Sequence, residues 1–285
     1  MKRLVGVALC WVFAAALQDG PRVSFELTTQ AVVLNVAVLD GDAAVTGLGL
    51  DDFEVFDNGV RQTLKAVDNA DLPIDLRLVF DISGSISERD LTSYLRAMEQ
   101  VTAALEPVDR CEIITFWSRI ADAASRQSPP VTIALPRGGP FGTAFFDAAS
   151  LAMVTVPTPD RRQVTIILSD ARDNASFSDE ATLIEVARRT DAVVYTVLPM
   201  ASTATLPVSV DRLQALALLT GGRLVRTHER QVGPVIIDAL RDFRQTYLLY
   251  YQLTGVGLDG WHQVQVKVRG RGRVTVRTRA GYFSR

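Results

Sequence analysis

The sequence predicts an α/β protein: a doubly wound, mostly parallel sheet flanked by helices, with strand-rich segments before and after it. Three observations carry this expectation. Between Ile74 and Gln245, short apolar runs alternate with helix-length segments of 3.6-residue periodicity. Strands separated by helices require crossover connections, and crossovers give parallel strands covered on both faces. From Val23 to Asp68, and again after Gln245, the pattern is β with turn residues.

The 285 residues suffice for one large or two modest cores. A hydrophobic content of 48% with 22% charged residues is ordinary for a globular chain. The formal charge of -2 gives no electrostatic reason to expect nucleic acid or an anionic membrane as partner.

Residues 1–18 stand apart. Lys2 and Arg3 precede the apolar stretch Leu4 to Leu17, and Ala14, Ala15 and Ala16 precede Gln18-Asp19-Gly20. This reads as a secretory signal peptide cut near Ala16 to Gln18. The run falls short of the ~20 residues a spanning helix needs, so no membrane insertion is expected after cleavage. Cys10 leaves with the signal, and the bulky Leu9 before it does not suit lipidation. Cys111 then stands alone at the head of Glu112-Ile113-Ile114-Thr115-Phe116, where a buried apolar thiol is expected.

The N-terminal β segment spans 19–72. Ala31 to Leu39 is rich in β-branched residues, and Asp40-Gly41-Asp42 turns the chain. Phe53-Glu54-Val55-Phe56 follows, then the turn Asp57-Asn58-Gly59, with Asp71-Leu72-Pro73 as boundary. The α/β region, 73–246, opens with the strand Leu76–Phe80. Its clearest helix carries Leu91, Tyr94, Leu95, Met98, Val101, Thr102 and Leu105 on one face. Ser87 and Asp90 resemble a capping box at its start, and Pro107 ends it. Further strands are expected at Glu112–Phe116, Val164–Leu168 and Ala192–Leu198. Further helices are expected at about 144–155, 179–190, 210–220 and 232–245, with Leu183, Ile184 and Ala187 assigned to the core.

Residues 247–285 return to β, and with the N-terminal segment can pair into one small module. Lys267, Arg269, Arg271, Arg273, Arg277 and Arg279 fall on odd positions, while Val264, Val266, Val268, Val274 and Val276 fall on even ones. No aromatic residue alternates with the cations as a base-stacking platform requires, so a solvated face explains the parity. His228 and His262 lie in no metal-ligand spacing and are assigned to surface loops.

Chemistry concentrates where strands end. Asp81-Ile82-Ser83-Gly84-Ser85 follows the strand Leu76–Phe80, setting a carboxylate and two hydroxyls at i, i+2 and i+4. Ser169 and Asp170 end Val164–Leu168. The glycine-rich loop Arg137 to Thr143 presents one more hydroxyl on that edge. In an open parallel sheet ligands bind beyond the carboxyl ends of the strands. Helix capping by Ser83 and Ser85 is the plain alternative, but it leaves the spaced Thr143 and Asp170 unaccounted for. Oxygen donors of this kind suit Mg²⁺ or Mn²⁺ rather than zinc or copper.

These residues resemble the von Willebrand factor type A family and its metal-ion-dependent adhesion site. That site combines Asp-x-Ser-x-Ser, a distant Thr in a glycine-rich loop, and an Asp in a Ser/Thr-Asp-Gly turn. Asp81, Ser83, Ser85, Thr143 and Asp170 occupy those positions here, with Ala171 where the family usually has Gly. The flanks, from Thr46-Gly47-Leu48 to Asn58-Gly59 and from Tyr247 to Tyr282, look like those of a bacterial envelope group of such proteins. The resemblance implies a secreted or periplasmic protein, not an enzyme. It further implies a protein partner whose Glu or Asp completes the coordination of Mg²⁺ or Mn²⁺. Two rival readings are a structural part of an envelope assembly that uses the metal for folding, and a Mg²⁺-dependent phosphohydrolase with Asp173 as base. No Walker loop, H-E-x-x-H or G-x-S-x-G accompanies the latter.

Overall fold

Five strands come first: β1 (Ala31–Asp40), β2 (Ala43–Ala44), β3 (Phe53–Asp57), β4 (Val60–Gln62) and β5 (Leu64–Asp68). The alternating region then runs β6 (Ile74–Asp81), α1 (Glu88–Ala103), β7 (Arg110–Phe116), β8 (Ile120–Gln127), α2 (Phe145–Met153) and β9 (Arg162–Leu168). It continues through α3 (Glu180–Arg189), β10 (Val193–Pro199), α4 (Pro207–Thr220), β11 (Leu224–Thr227) and α5 (Val232–Arg244). Four strands close the chain: β12 (Tyr247–Gln252), β13 (Trp261–Val268), β14 (Thr275–Arg277) and β15 (Gly281–Phe283). This computed structural model describes residues 31–68, 72–84, 88–136, 139, 142–154, 158, 160–199, 207–228 and 231–284. The expected signal peptide and the residues Cys10, Ser85 and Ser87 lie outside the described residues.

The central sheet has the order β11-β10-β9-β6-β7-β8. Its first five strands are parallel, and β8 runs antiparallel to β7 at the edge. β6 lies in the middle and is buried at every position but Arg77, as a strand covered on both faces must be. Leu76, Leu78 and Phe80 face one way and pack with Tyr94, Met98 and Val101 of α1 and Ile236, Leu240 and Phe243 of α5. Val79 faces the other way, into Phe145 and Ala148 of α2, Leu183 and Ala187 of α3, and Leu213 and Leu216 of α4. In α2 the buried residues Phe145, Ala148, Ala149, Ala152 and Met153 form one stripe at i, i+3, i+4, i+7 and i+8. Cys111 is a free, fully buried thiol on β7, as expected.

A mostly parallel sheet is thus one of three, and the other two are antiparallel. One has the order β14-β1-β12-β5 with β2 on β1, and the other β15-β13-β3-β4. The first joins the two chain ends directly, with Val36 opposite Tyr247 and Ala31 opposite Gln252. The second pairs Val55 with Val266. Both sheets face one apolar core that includes Leu34, Val36, Phe53, Val55, Leu249, Tyr251, Val264 and Val266. The N- and C-terminal segments therefore form a two-sheet sandwich, and the α/β region is inserted between neighbouring strands β5 and β12.

Two expectations are corrected here. His262 is not in a surface loop: it lies on β13, fully buried, where its even position shares the core face of Val264 and Val266. Its Nδ1 meets Asp57 Oδ1 at 2.7 Å, and Tyr251 and Tyr282 donate their hydroxyls to Asp57 Oδ2 at 2.7 and 2.6 Å. Arg277 and Arg279 do not belong to a solvated face either. Arg277 reaches Asp242 of α5 and the Gly221 carbonyl. Arg279 donates to the Arg188 and Thr190 carbonyls, which closes the C-terminal end of α3. Strand β8 is an addition to the expected elements, and no apolar run in the sequence announces it.

Candidate metal centre

Strand register places the first pair of site residues. Phe80 on β6 lies opposite Leu168 on β9, so Asp81 and Ser169 leave the sheet side by side. Ser169 donates its hydroxyl to Asp81 Oδ2 at 2.8 Å and accepts the Ala171 N–H at 2.9 Å. Asp81 Oδ1 accepts the Ser83 N–H at 3.0 Å, which folds the loop back over its own strand end. Asp81 and Ser83 are only 2% and 3% exposed, so neither is the solvated loop residue that a simple turn would supply.

The next loop is tied to the same edge. Ile82 N–H donates to the Phe116 carbonyl at 2.8 Å, and Ala144 N–H to the Trp117 carbonyl at 2.7 Å. Both loops therefore hang from the end of β7. Thr143 is gripped on both sides by the segment after Asp170. Its N–H donates to Asn174 Oδ1 at 2.7 Å, and its carbonyl accepts from Asn174 and Ala175 at 3.0 and 3.2 Å. Gly142 makes this approach possible: its φ of +81° and a Cβ site 2.9 Å from Ser118 Cβ exclude a side chain.

Asp170 begins the third loop. Arg172 donates its backbone N–H to Asp170 Oδ1 at 3.2 Å, and its guanidinium lies 3.2 Å from Oδ2. That guanidinium is half exposed, and such a pair contributes only ~0–1 kcal/mol, so it does not lock the carboxylate. Ala171 is buried with φ +55°, a conformation that favours glycine. The turn keeps its left-handed conformation and carries the strain of a Cβ there. Arg212 of α4 braces it by donating to the Ala171 carbonyl at 2.5 Å.

Asp81, Ser83, Ser169 and Asp170 are thus brought together, Thr143 is fastened to the same edge, and Ser85 lies outside the described residues. Ser169, whose position but not whose contact was legible, is the direct partner of Asp81. Burial pushes the Asp81 carboxyl above its ordinary value, against the hydrogen bonds from Ser83 and Ser169, and the charge of Asp170 pushes it further. A divalent cation beside both carboxylates would remove that penalty. Among the described residues no group of three or more His, Cys, Asp or Glu could hold a metal. The polar atoms gathered on this edge are carboxylate and hydroxyl oxygens, a set that suits a hard cation better than a thiolate or imidazole site would.

Asp173 is engaged elsewhere: its Oδ2 accepts the Phe146 N–H at 2.9 Å and the Ser176 hydroxyl, which caps α2. His262 lies in the sandwich core with Asp57.

Comparison with solved structures places the fold. The chain superposes on a paralogue of ArnB, VWA2 from Sulfolobus acidocaldarius, with a TM-score of 0.51 at 9% identity, covering 89% of this chain and 76% of that one. A von Willebrand factor type A protein from Catenulispora acidiphila gives 0.49 at 9% identity, covering 92% and 76%. Proximal thread matrix protein 1 from the mussel byssus, in a form with a zinc-occupied metal-ion-dependent site, gives 0.47 at 12% identity and covers 60% of this chain. This chain spans about half the length of that mussel protein. No family model matches the sequence, and no curated protein matches it. The fold is that of a von Willebrand factor type A domain, here set into a β-sandwich.

Proposed function

We propose that the protein binds a protein partner through a divalent cation, Mg²⁺ or Mn²⁺, held by Asp81, Ser83, Ser85, Thr143 and Asp170. The observation that carries this reading is the Asp81 carboxylate, buried yet set on the ligand-binding edge beside a second carboxylate and a hydroxyl. A structural turn has no use for two adjoining acids, whose repulsion destabilises it. Bound there, the ion would supply a Lewis-acidic position for a Glu or Asp of the partner. The chain's own residues orient the site: Ser169 and Ser83 hold the Asp81 carboxylate, and Asn174 holds Thr143.

We assign no catalytic step. The rival general base, Asp173, is occupied as a helix cap, and His262 is enclosed by the sandwich. We also read the protein as secreted or periplasmic, on the signal-like residues 1–18. Among the described residues no helix is long and apolar enough to cross a membrane.

Calorimetric titration with Mg²⁺ and Mn²⁺ tests the site. Saturable one-ion binding that is lost in Asp81→Ala, with the melting curve of the variant otherwise intact, is expected. A pull-down from envelope extract in Mg²⁺, in EDTA and with Asp81→Ala tests the function. Equal partner recovery in all three overturns the adhesion reading, and phosphatase turnover lost in Asp81→Ala overturns it in favour of an enzyme.

A further inference from the structure

The segment that carries Asp170 also carries an aromatic side chain that packs on nothing. Phe177 is fully exposed, at 104% of its reference area. A single exposed apolar residue is ordinary on a loose loop. This loop is built to hold one still. Phe177 N–H donates to Asp147 Oδ2 at 2.8 Å, and Ser178 donates both its N–H, at 2.9 Å, and its hydroxyl to Asp147 Oδ1. Just before it, Ser176 donates its N–H and hydroxyl to Asp173, and its own oxygen accepts the Asp147 N–H at 3.1 Å. The loop is thus latched to the first turn of α2, directly after Thr143, and is tied to Thr143 through Asn174 and Ala175. Backbone entropy has been given up to present the ring outward on the edge where the two carboxylates sit.

We propose that Phe177 is the apolar contact of the partner-binding surface, and that the partner presents an acidic side chain next to an aliphatic one. The proposal rests on the reading of Asp81 and Asp170 as a cation site, since that site supplies the attraction for the acid. Phe177 supplies discrimination: acids with a nonpolar neighbour cover the ring, while bare acids leave it in water. An aromatic anchor beside a charged contact is the arrangement from which interface hot spots are built.

The test uses two capped peptides, acetyl-Gly-Gly-Glu-Gly-Gly-amide and acetyl-Gly-Leu-Glu-Leu-Gly-amide, titrated by NMR against the wild type, Phe177→Ala and Phe177→Leu in saturating Mg²⁺ and in EDTA. Partial burial of one aliphatic side chain corresponds to about tenfold in affinity. The leucine peptide should bind the wild type about tenfold tighter than the glycine peptide. Phe177→Ala should bind both alike, Phe177→Leu should recover part of the difference, and Mg²⁺ affinity and melting temperature should not move. Equal binding of both peptides to wild type and Phe177→Ala, dependent on Mg²⁺, overturns the role of Phe177 and leaves the cation site standing. Binding of neither peptide, with Mg²⁺ itself bound, overturns the carboxylate-completed site and this proposal with it. Self-association of the wild type that vanishes in Phe177→Ala also overturns the proposal, by assigning the ring to a contact between copies of this chain.

Discussion

Replacing Asp57 tests the account of the sandwich at its most polar point. The carboxylate is fully buried and serves three donors from three strands: His262 on β13, Tyr251 on β12 and Tyr282 on β15. The His262 ring stacks on Tyr282 at 4.9 Å and 18°, so the donors also hold one another in place. Asp57→Ala leaves three donors without an acceptor. Each orphaned buried group costs ~1–3 kcal/mol, and groups that shared one acceptor do not add fully. A loss of about 3–5 kcal/mol is expected, the range for removing one partner of a buried charged network. Asp57→Asn keeps the shape but turns one acceptor into a donor that meets a donor. It should cost roughly 2–3 kcal/mol. Urea melts followed by near-ultraviolet circular dichroism measure both, and Mg²⁺ affinity serves as a control remote from the sandwich. If Asp57→Asn melts within about 0.5 kcal/mol of the wild type, the carboxylate does not organise these strands and the reasoning fails.

Three further predictions concern the α/β region. Ala171→Gly should raise stability by about 1 kcal/mol in urea, because a Cβ at φ +55° is strained and glycine there is not; no gain would falsify the strained-turn account. The folded Asp81 carboxyl lies above its ordinary 3.8, so the metal-free fold binds a proton that the unfolded chain has lost. Without metal, stability should therefore rise as pH falls from neutral toward 3.8, while Mg²⁺ stabilisation should weaken over the same range. Melting temperature against pH, with and without Mg²⁺, shows both, and parallel curves would refute the linkage. Cys111, with its thiol pushed up to about 12 by burial and by Glu112 and Asp109, should resist a thiol reagent at pH 8 until the protein unfolds. Prompt labelling of the native protein would contradict its place in the core.

Much of this architecture can be read from residue type and spacing. The ends of Leu76–Phe80 and Val164–Leu168 locate Asp81 and Asp170 on one edge, since parallel strands in register finish together. Strand β8 could not be read: Ile-Ala-Asp-Ala-Ala-Ser-Arg-Gln has few β-branched residues, and its burial at Ala123 and Ala124 comes from pairing with β7. His262 was legible in principle. It shares the even positions of Val264 and Val266, and only its polar side chain argues against the core face. Arg277 and Arg279 follow the parity of solvated cations, yet their partners, Asp242 and the last carbonyls of α3, are set by tertiary packing alone. The contact of Ser169 with Asp81 belongs to the same class, since 88 residues separate the two.

Insertion of the α/β unit between β5 and β12 has a consequence for how the chain is made. Strands β1, β3 and β5 leave the ribosome before their partners β12 and β13 exist, and Val36 pairs with Tyr247, some two hundred residues later. At ~5–20 residues per second, that delay is on the order of ten to forty seconds. All six strands of the central sheet have been translated by Thr227 and α5 by Arg244, so the inserted unit can close around its own core before β13 is made. The sandwich is then the last part to assemble, and during synthesis its unpaired N-terminal strands are where a nascent chain is most open to capture by chaperones or by its neighbours.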